Sequence, residues 1–412
     1  MSTSAMPAGA IGPGLRIAIV THVVDRNDGQ GRVNHEIVVA ALAAGCEVTL
    51  LASHVAAQWR AHPHVRWVRV SAGGWPTALL RYQVFAARSA WWLMGRRHGF
   101  DILHVNGFIT WARADVNTAH FVHGGWLRSP HYPFTLRGGP YSGYQLLYTR
   151  INAWLEGHAF RRARAVVAVS PRIAGELAQI GVDAGRIETI ANGVDTAEFR
   201  PGNGDRAGFG LPPGVPLLLF AGDLRTPRKN LDTVLAALAL GPDNVALAVA
   251  GQAQGSPYPR MAAELGLARR VHFLGHVSAM PALMRCCDVL VFPSRYEPMG
   301  LVVLEAMASG LAVITARTTG ASGLVPDAAG VVLADPDDAA ALAGAIRACT
   351  AEPQRTRCMG AAARAAMLPR GWAAMGEQYL ALYRRLSSTE QENRPPDARH
   401  RMASGGAAEA TR

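Results

Sequence analysis

The chain is almost without lysine. Of its 41 basic residues, Lys229 alone is not an arginine. A lysine kept where arginine is otherwise used throughout marks a place for a compact point charge, not a planar fork, and that singles out Lys229. Cysteine is sparse as well. Cys46, Cys286, Cys287, Cys349 and Cys358 form no C-x-x-C and show no metal-ligand spacing. That pattern excludes a disulfide framework and a structural zinc, and it reads as reduced thiols. No apolar run approaches the roughly 20 residues a membrane span needs. The first fourteen residues lack the basic start and apolar stretch of a signal peptide. Together these absences predict a cytoplasmic protein. Acidic residues are few, 30 against 41 basic, for a net charge of +11, and residues 1–195 hold nineteen arginines against eleven acids. Such a half suits nucleic acid, anionic lipid or an anionic substrate. No nucleic-acid reader motif and no interleaved aromatic–basic strand pattern accompanies the charge, so nucleic acid is set aside.

What is present is apolar and regularly spaced. Half of the 412 residues are hydrophobic, enough for two α/β domains of about 180 residues each. Residues 15–20 read as a strand, 25–32 as a glycine-bearing loop, the following residues as a helix ending at Gly45, and CEVTLLAS as a second strand. That is a βαβ unit opening a parallel sheet. Further strands are expected at 65–70, 101–105, 115–119 and 165–169. A Pro/Gly-rich linker at 201–216 precedes a second series at 217–221, 245–250, 271–274, 288–292, 311–315 and 330–333. Helical patterns fall at 231–239, 258–266, 278–285, 300–309, 338–349 and 372–386. Two successive arrays of this kind predict two Rossmann-like domains facing each other across a cleft.

The sharpest chemical signal is SRYEPMGLVVLEAMASG, residues 294–310. Glu297 precedes Pro-Met-Gly in a loop, and Glu305 lies eight residues on, in the next helix. The N–H groups of Met299, Gly300 and Leu301 are placed at the helix start, where phosphate or sugar oxygens are favoured. Glu305 suits ribose hydroxyls and Glu297 the transferred sugar; a helix cap and a solvated helix residue are the alternatives. In FAGDLRTPRKN, Gly222 allows close backbone approach, while Arg228 and Lys229 bring two cations to stabilise a departing diphosphate. A solvated basic loop is the alternative there. Asn192-Gly193 reads as a structural turn. His120 ends the strand of VNTAHFVHGG, with His123 three residues later, and a histidine there suits sugar binding or proton handling. Gly31, in the loop after the first strand, is a candidate closer of the cleft.

Taken in order over residues 15–386, these segments resemble the family-4 retaining glycosyltransferases of GT-B fold (glycosyl transferases group 1). The resemblance runs through VNTAH, VVAVSPRIAGEL, IETIANGVDTAEFRP, AGDLRTPRKN, the glutamate-pair segment and GVVLADPDD. It implies a flexible start at 1–14, an acceptor-binding domain at 15–200 and a nucleotide-sugar-binding domain at 201–371. A helix at 372–386 then returns to the first domain, and a disordered tail follows at 387–412. It also implies Glu297 against the donor sugar, Glu305 against the ribose, Arg228 and Lys229 on the diphosphate, and His120 near the transferred sugar. The implied reaction needs no cofactor and no catalytic metal, and moves sugar from a nucleoside-diphosphate donor to a glycan or lipid-linked acceptor in polysaccharide or cell-envelope synthesis. Many members carry Gly-Arg where this chain has Gly222-Asp223, which leaves Arg225 or Arg228 to replace the missing cation. The basic segments RRH at 96–98, beside Trp91-Trp92, and RRAR at 161–164 suggest peripheral contact with an anionic membrane at the inner face of the cytoplasmic membrane. A nucleotide-sugar epimerase or a sugar phosphorylase on the same fold is the competing reading.

Overall fold

The computed structural model describes residues 14–392. The expected flexible start and disordered tail lie outside these bounds, except for Gly14 and residues 387–392. The latter continue the last helix, which runs past its expected end at 386. The strands are β1 (Arg16–Val20), β2 (Val23–Val24), β3 (Glu47–Ala52), β4 (His54–Val55), β5 (Val65–Arg69), β6 (Ile102–Asn106), β7 (Val116–Ala119), β8 (Ala165–Ala168) and β9 (Ile187–Thr189). They continue with β10 (Leu217–Ala221), β11 (Ala246–Ala250), β12 (Val271–Gly275), β13 (Val289–Phe292), β14 (Ala312–Ala316) and β15 (Gly330–Leu333). The helices are α1 (Gly29–Ala43), α2 (Ala57–Arg60), α3 (Ala78–Leu93), α4 (His123–Arg128), α5 (Gly139–Arg162), α6 (Pro171–Gln179) and α7 (Leu231–Leu240). After them come α8 (Tyr258–Glu264), α9 (Met280–Cys286), α10 (Leu301–Ala308), α11 (Ala339–Thr350), α12 (Pro353–Met367) and α13 (Trp372–Glu392).

Two large parallel sheets result, as the alternating pattern predicts, with a two-stranded parallel pair β2-β4 besides. The first has the order β5-β3-β1-β6-β7-β8-β9, and the second β12-β11-β10-β13-β14-β15. Every pair described in the second is parallel. Its central strands LLLFA, ALAVA, VLVF and AVITA are buried at every position, as strands covered by helices on both faces must be. In both sheets the strand order reverses beside the first strand of the series, between β1 and β6 and between β10 and β13. Ligands of doubly wound sheets bind outside the carboxyl ends at such a reversal.

By density of contacts the chain divides into two compact units. Among the described residues one comprises 14–118, 158–166 and 376–392, and the other 119–157 and 167–375. In the first, α13 is seated by two buried tyrosines: Tyr383 Oη lies 2.7 Å from His104 Nδ1 and Tyr379 Oη 3.2 Å from Thr118 Oγ1. Gly376 permits close approach to α1, since a Cβ there would lie 2.4 Å from the Ala40 Cβ. In the second, the Asn192-Gly193 turn docks on residues 370–372. The Val194 N–H donates to Arg370 O at 3.0 Å, and a Cβ on Gly193 would lie 2.6 Å from Trp372 Cα. Among the described residues no helix is long and apolar enough to cross a membrane.

Candidate active site

The residues of interest in the second unit stand on the loops that leave β10 and β13, the two strands flanking the reversal. After β10 the chain passes Gly222 and forms a 3-10 turn, Pro227–Lys229, that ends at Asn230. Asn230 is the one non-glycine residue at positive φ (68°) among those described, and it is fully buried. Its Nδ2 donates to Pro293 O at 2.9 Å and to Pro336 O at 2.7 Å. One amide thus ties together the loops after β10, β13 and β15 and sets the left-handed step that turns Lys229 back. Arg295 holds the same turn from another side. Its guanidinium donates to Pro227 O at 2.7 Å, makes a two-pronged pair with Asp232, and reaches Asp337 at 2.7 Å.

These constraints bring both cations to one carboxylate. Lys229 Nζ donates to Glu297 Oε2, and Arg228 NH1 lies 3.8 Å from the same oxygen. Arg228 also donates to Tyr296 O at 3.0 Å, with its guanidinium carbon 5.8 Å from the Phe121 ring centre. Gly222 packs on the Lys229 stem, where a Cβ would sit 3.3 Å from Cγ. Arg225 is turned away from this work: its backbone N–H, Nε and NH2 all donate to the Asp223 carboxylate, at 3.0, 2.9 and 3.1 Å. That pairing holds the Asp223 carboxyl below its ordinary range. Of the two arginines expected to compensate for Asp223, Arg228 is the one at Glu297.

The loop after β13 is clamped along its main chain. Glu297 N–H donates to Thr318 O, Gly320 N–H to Glu297 O, and Ala321 N–H to Met299 O, at 3.1, 2.7 and 2.8 Å. Ser170 Oγ donates to Pro298 O at 2.7 Å. Gly300 sits at φ 90° and begins α10 without a side-chain cap. Glu297 therefore does not cap the helix. The N–H groups of Met299, Gly300 and Leu301 have no hydrogen-bond acceptor among the described residues. Thr226 Oγ1, on the loop after β10, and Thr319 Oγ1, on the loop after β14, are buried without a partner among the described residues. Glu305 is the fifth residue of α10 and partly buried.

Beneath Glu297, the preceding residue is the anchor. Tyr296 is fully buried, with its hydroxyl 2.6 Å from Glu176 Oε2 and 3.1 Å from Val122 O. Phe121, Trp126 and Arg172 surround its ring. Burial pushes the Glu176 carboxyl up, opposed by the Tyr296 hydroxyl and Arg172. A Cβ on Gly125 would lie 2.0 Å from Glu176 Oε2, so a larger residue there displaces the carboxylate that Tyr296 binds.

The two histidines separate. His123 is committed to Glu156, which accepts from its backbone N–H at 2.9 Å and lies 2.8 Å from its Nδ1. His120 directly follows β7 and precedes Phe121, the ring against Arg228. Burial lowers its pKa to about 4 and keeps it neutral near pH 7. His131, Asp335 and Asp337 bring ligand atoms within 4.8 Å of one another, but Asp337 is already bound by Arg295. Gly31 belongs to the other unit and is helical: residues expected as a loop form the first turn of α1, because Asp28 caps it by accepting from Gly31 N–H at 2.6 Å.

Asn230, Arg295, Tyr296 and Glu176 carried no weight in the sequence reading. Their long-range partners lie 42 to 174 residues away. For Asn230 a Lys-Asn pair ahead of an apolar helix was the available signal.

Family comparison decides the relationship. The family model "Glycosyltransferase Family 4" matches residues 27–198 and "Glycosyl transferases group 1" matches 204–366. The α-maltose-1-phosphate synthase of Mycobacterium tuberculosis is 30% identical over 266 residues, which cover 59% of this chain and 67% of that protein. The chain belongs to the family 4, group 1 glycosyltransferases. Another relative of this family, D-inositol 3-phosphate glycosyltransferase 2 of Catenulispora acidiphila, is 34% identical over 245 residues, 54% of this chain and 56% of its own. The chain thus spans little more than half the length of that relative. Among solved structures, sucrose-phosphate synthase of Thermosynechococcus elongatus superposes with a TM-score of 0.76 over 91% of this chain and all of that one, at 24% identity. The fold of this glycosyltransferase family member is therefore GT-B.

Proposed function

We propose that the protein is a retaining, metal-independent glycosyltransferase that transfers sugar from a nucleoside-diphosphate sugar to a glycan or lipid-linked acceptor in polysaccharide or cell-envelope synthesis. The observation that carries this reading is the convergence of Lys229 and Arg228 on Glu297 at the strand reversal, beside the uncapped start of α10. A diphosphate entering there meets two cations and three N–H groups without protein acceptors, and its negative charge is favoured by both. As the glycosidic bond breaks, charge grows on the leaving oxygens, and fixed cations stabilise that state more than the ground state. Glu297, released from Lys229, becomes an acceptor for sugar hydroxyls, and Glu305 is assigned to the ribose. Neutral His120 is an acceptor or donor for the transferred sugar. Retention follows if the acceptor attacks on the face from which the diphosphate leaves.

A phosphorylase using pyridoxal phosphate requires a free lysine, and Lys229 is ion-paired with Glu297; no observation favours the epimerase. The test is a screen of nucleoside-diphosphate sugars for diphosphate release without added metal, with the product anomer read by NMR. Release of diphosphate with retained configuration supports the proposal. An inverted product, or turnover only with a divalent cation, overturns the corresponding part.

A further inference from the structure

The first unit carries a surface that donor chemistry does not use. Between Glu47 and Asp101 there is no acidic residue over 53 positions, and seven arginines fall in that stretch. Helix α3 lies within it. Its inner face, Phe85, Ala86, Ser89 and Leu93, is buried in the core. Its outer side is apolar too: Trp91 is 73% exposed, and Met94, just past the helix end, 70%. Trp111, 47% exposed, lines the same cavity as Met94, an open space of about 810 Å³ whose wall includes Ala90, Leu93 and Phe100. Large apolar side chains left exposed together, here among the exposed Arg81 and Arg88, call for a second apolar environment.

The charges around this patch are mostly positive. Arg88, Arg96 and Arg113 are exposed and donate only to main-chain oxygens, those of Ser71, Trp92 and Arg162. Asp101 is taken by Arg16 and Asp115 by Arg97 and Arg164, while the exposed Glu47 shares a cavity wall with Arg96. Arg96 also lays its guanidinium over the Trp92 ring, the carbon 5.3 Å from the centre, a cation–π contact on an exposed side chain.

We infer that Trp91, Met94 and Trp111, with Arg88, Arg96 and Arg113 around them, form a docking face for a bilayer surface rich in anionic lipid. Tryptophan and methionine enter the boundary between headgroups and chains, and the arginines meet phosphate. A second copy of this chain fits poorly, because a two-fold contact would set these arginines against their own equivalents. The inference is independent of the donor site: lipid capture tests one and diphosphate release the other.

The full chain is mixed with vesicles of phosphatidylcholine, with and without phosphatidylglycerol, and floated on a density gradient. The expected result is capture by the anionic vesicles that weakens with added salt. Trp91→Ser/Met94→Ser lowers the captured fraction at least about tenfold, and Arg88→Gln/Arg96→Gln/Arg113→Gln removes the preference for phosphatidylglycerol. Unfolding midpoints matching the parent show that the variants are folded, and Trp111→Ser gives a second, single-site reading. The inference is overturned if the parent fails to float with anionic vesicles, or if the variants float equally well. It is also overturned if sedimentation shows a dimer that Trp91→Ser/Met94→Ser dissociates while no vesicle is bound.

Discussion

Lys229 and Glu297 join the loops of two neighbouring strands: Nζ donates to Oε2, with Arg228 3.8 Å from the same oxygen. The pair is mostly shielded from solvent, with 16% and 13% of the side chains exposed. Its two members lie 68 residues apart, and each is held in place by residues other than its partner. Lys229 is set by the Asn230 step and the Gly222 contact, Glu297 by main-chain bonds to residues 318–320. The carboxylate keeps the two cations together; in the proposed function a diphosphate takes over that role.

Lys229→Ala removes one cation and leaves Glu297 to Arg228. Diphosphate release from the donor should fall by about a hundredfold or more, with the unfolding midpoint little changed. Lys229→Arg should restore only part of the loss, because the planar guanidinium does not reproduce a compact charge beside Gly222. Steady-state assays of the three proteins check this.

Tyr296→Phe strips the buried Glu176 carboxyl of its hydroxyl partner and should cost about 1–3 kcal/mol, with a further rise in KM as the Arg228–Tyr296 carbonyl contact loosens. Glu176→Gln keeps an acceptor and should cost less. Gly125→Ala should be worse than either, since the new Cβ meets Glu176 Oε2 at 2.0 Å. Denaturant titration ranks the three.

Asn230→Ala loses both loop-spanning donors and places a Cβ-bearing residue without a local hydrogen bond at positive φ. A loss of about 2–4 kcal/mol is expected. Asn230→Gly retains the backbone freedom and should recover only the strain. Chemical denaturation of both variants separates the two contributions.

His35 gives a pH dependence. Its Nδ1 accepts from Trp59 Nε1 at 3.0 Å, which requires the neutral ring, and burial lowers its pKa to about 4 from 6.5. The unfolded chain takes up a proton between those values and the folded chain does not, so stability falls as pH drops from about 6.5 to about 4. The contribution is about 1–3 kcal/mol. His35→Gln should flatten this part of the stability curve, measured by denaturant titration at several pH values.

The central strands of the second sheet were legible because they are buried at every position and read as continuous apolar runs. LLLFA, ALAVA and VLVF need no alternation to be recognised. The loop after β13 was legible because Glu297, Gly300 and Glu305 stand in a long local pattern. Helix α12 was missed: its buried face is Thr356, Met359, Gly360, Ala363 and Met367, small and mixed residues whose period is hidden among arginines. The clamp behind the site was hidden for another reason. Tyr296 and Glu176 are 120 residues apart, and a tyrosine ahead of a functional glutamate looks like any aromatic until the fold supplies its carboxyl partner. The glycine loop after β1 misled, because Asp28 turns it into a capped helix.

The most direct test of the account compares diphosphate release by the parent with Glu297→Ala, Lys229→Ala and Arg225→Ala on the preferred donor. The account predicts losses of about a hundredfold or more for the first two, and a rate within about threefold of the parent for Arg225→Ala, whose guanidinium is spent on Asp223. Parent rates in both Glu297→Ala and Lys229→Ala would contradict it.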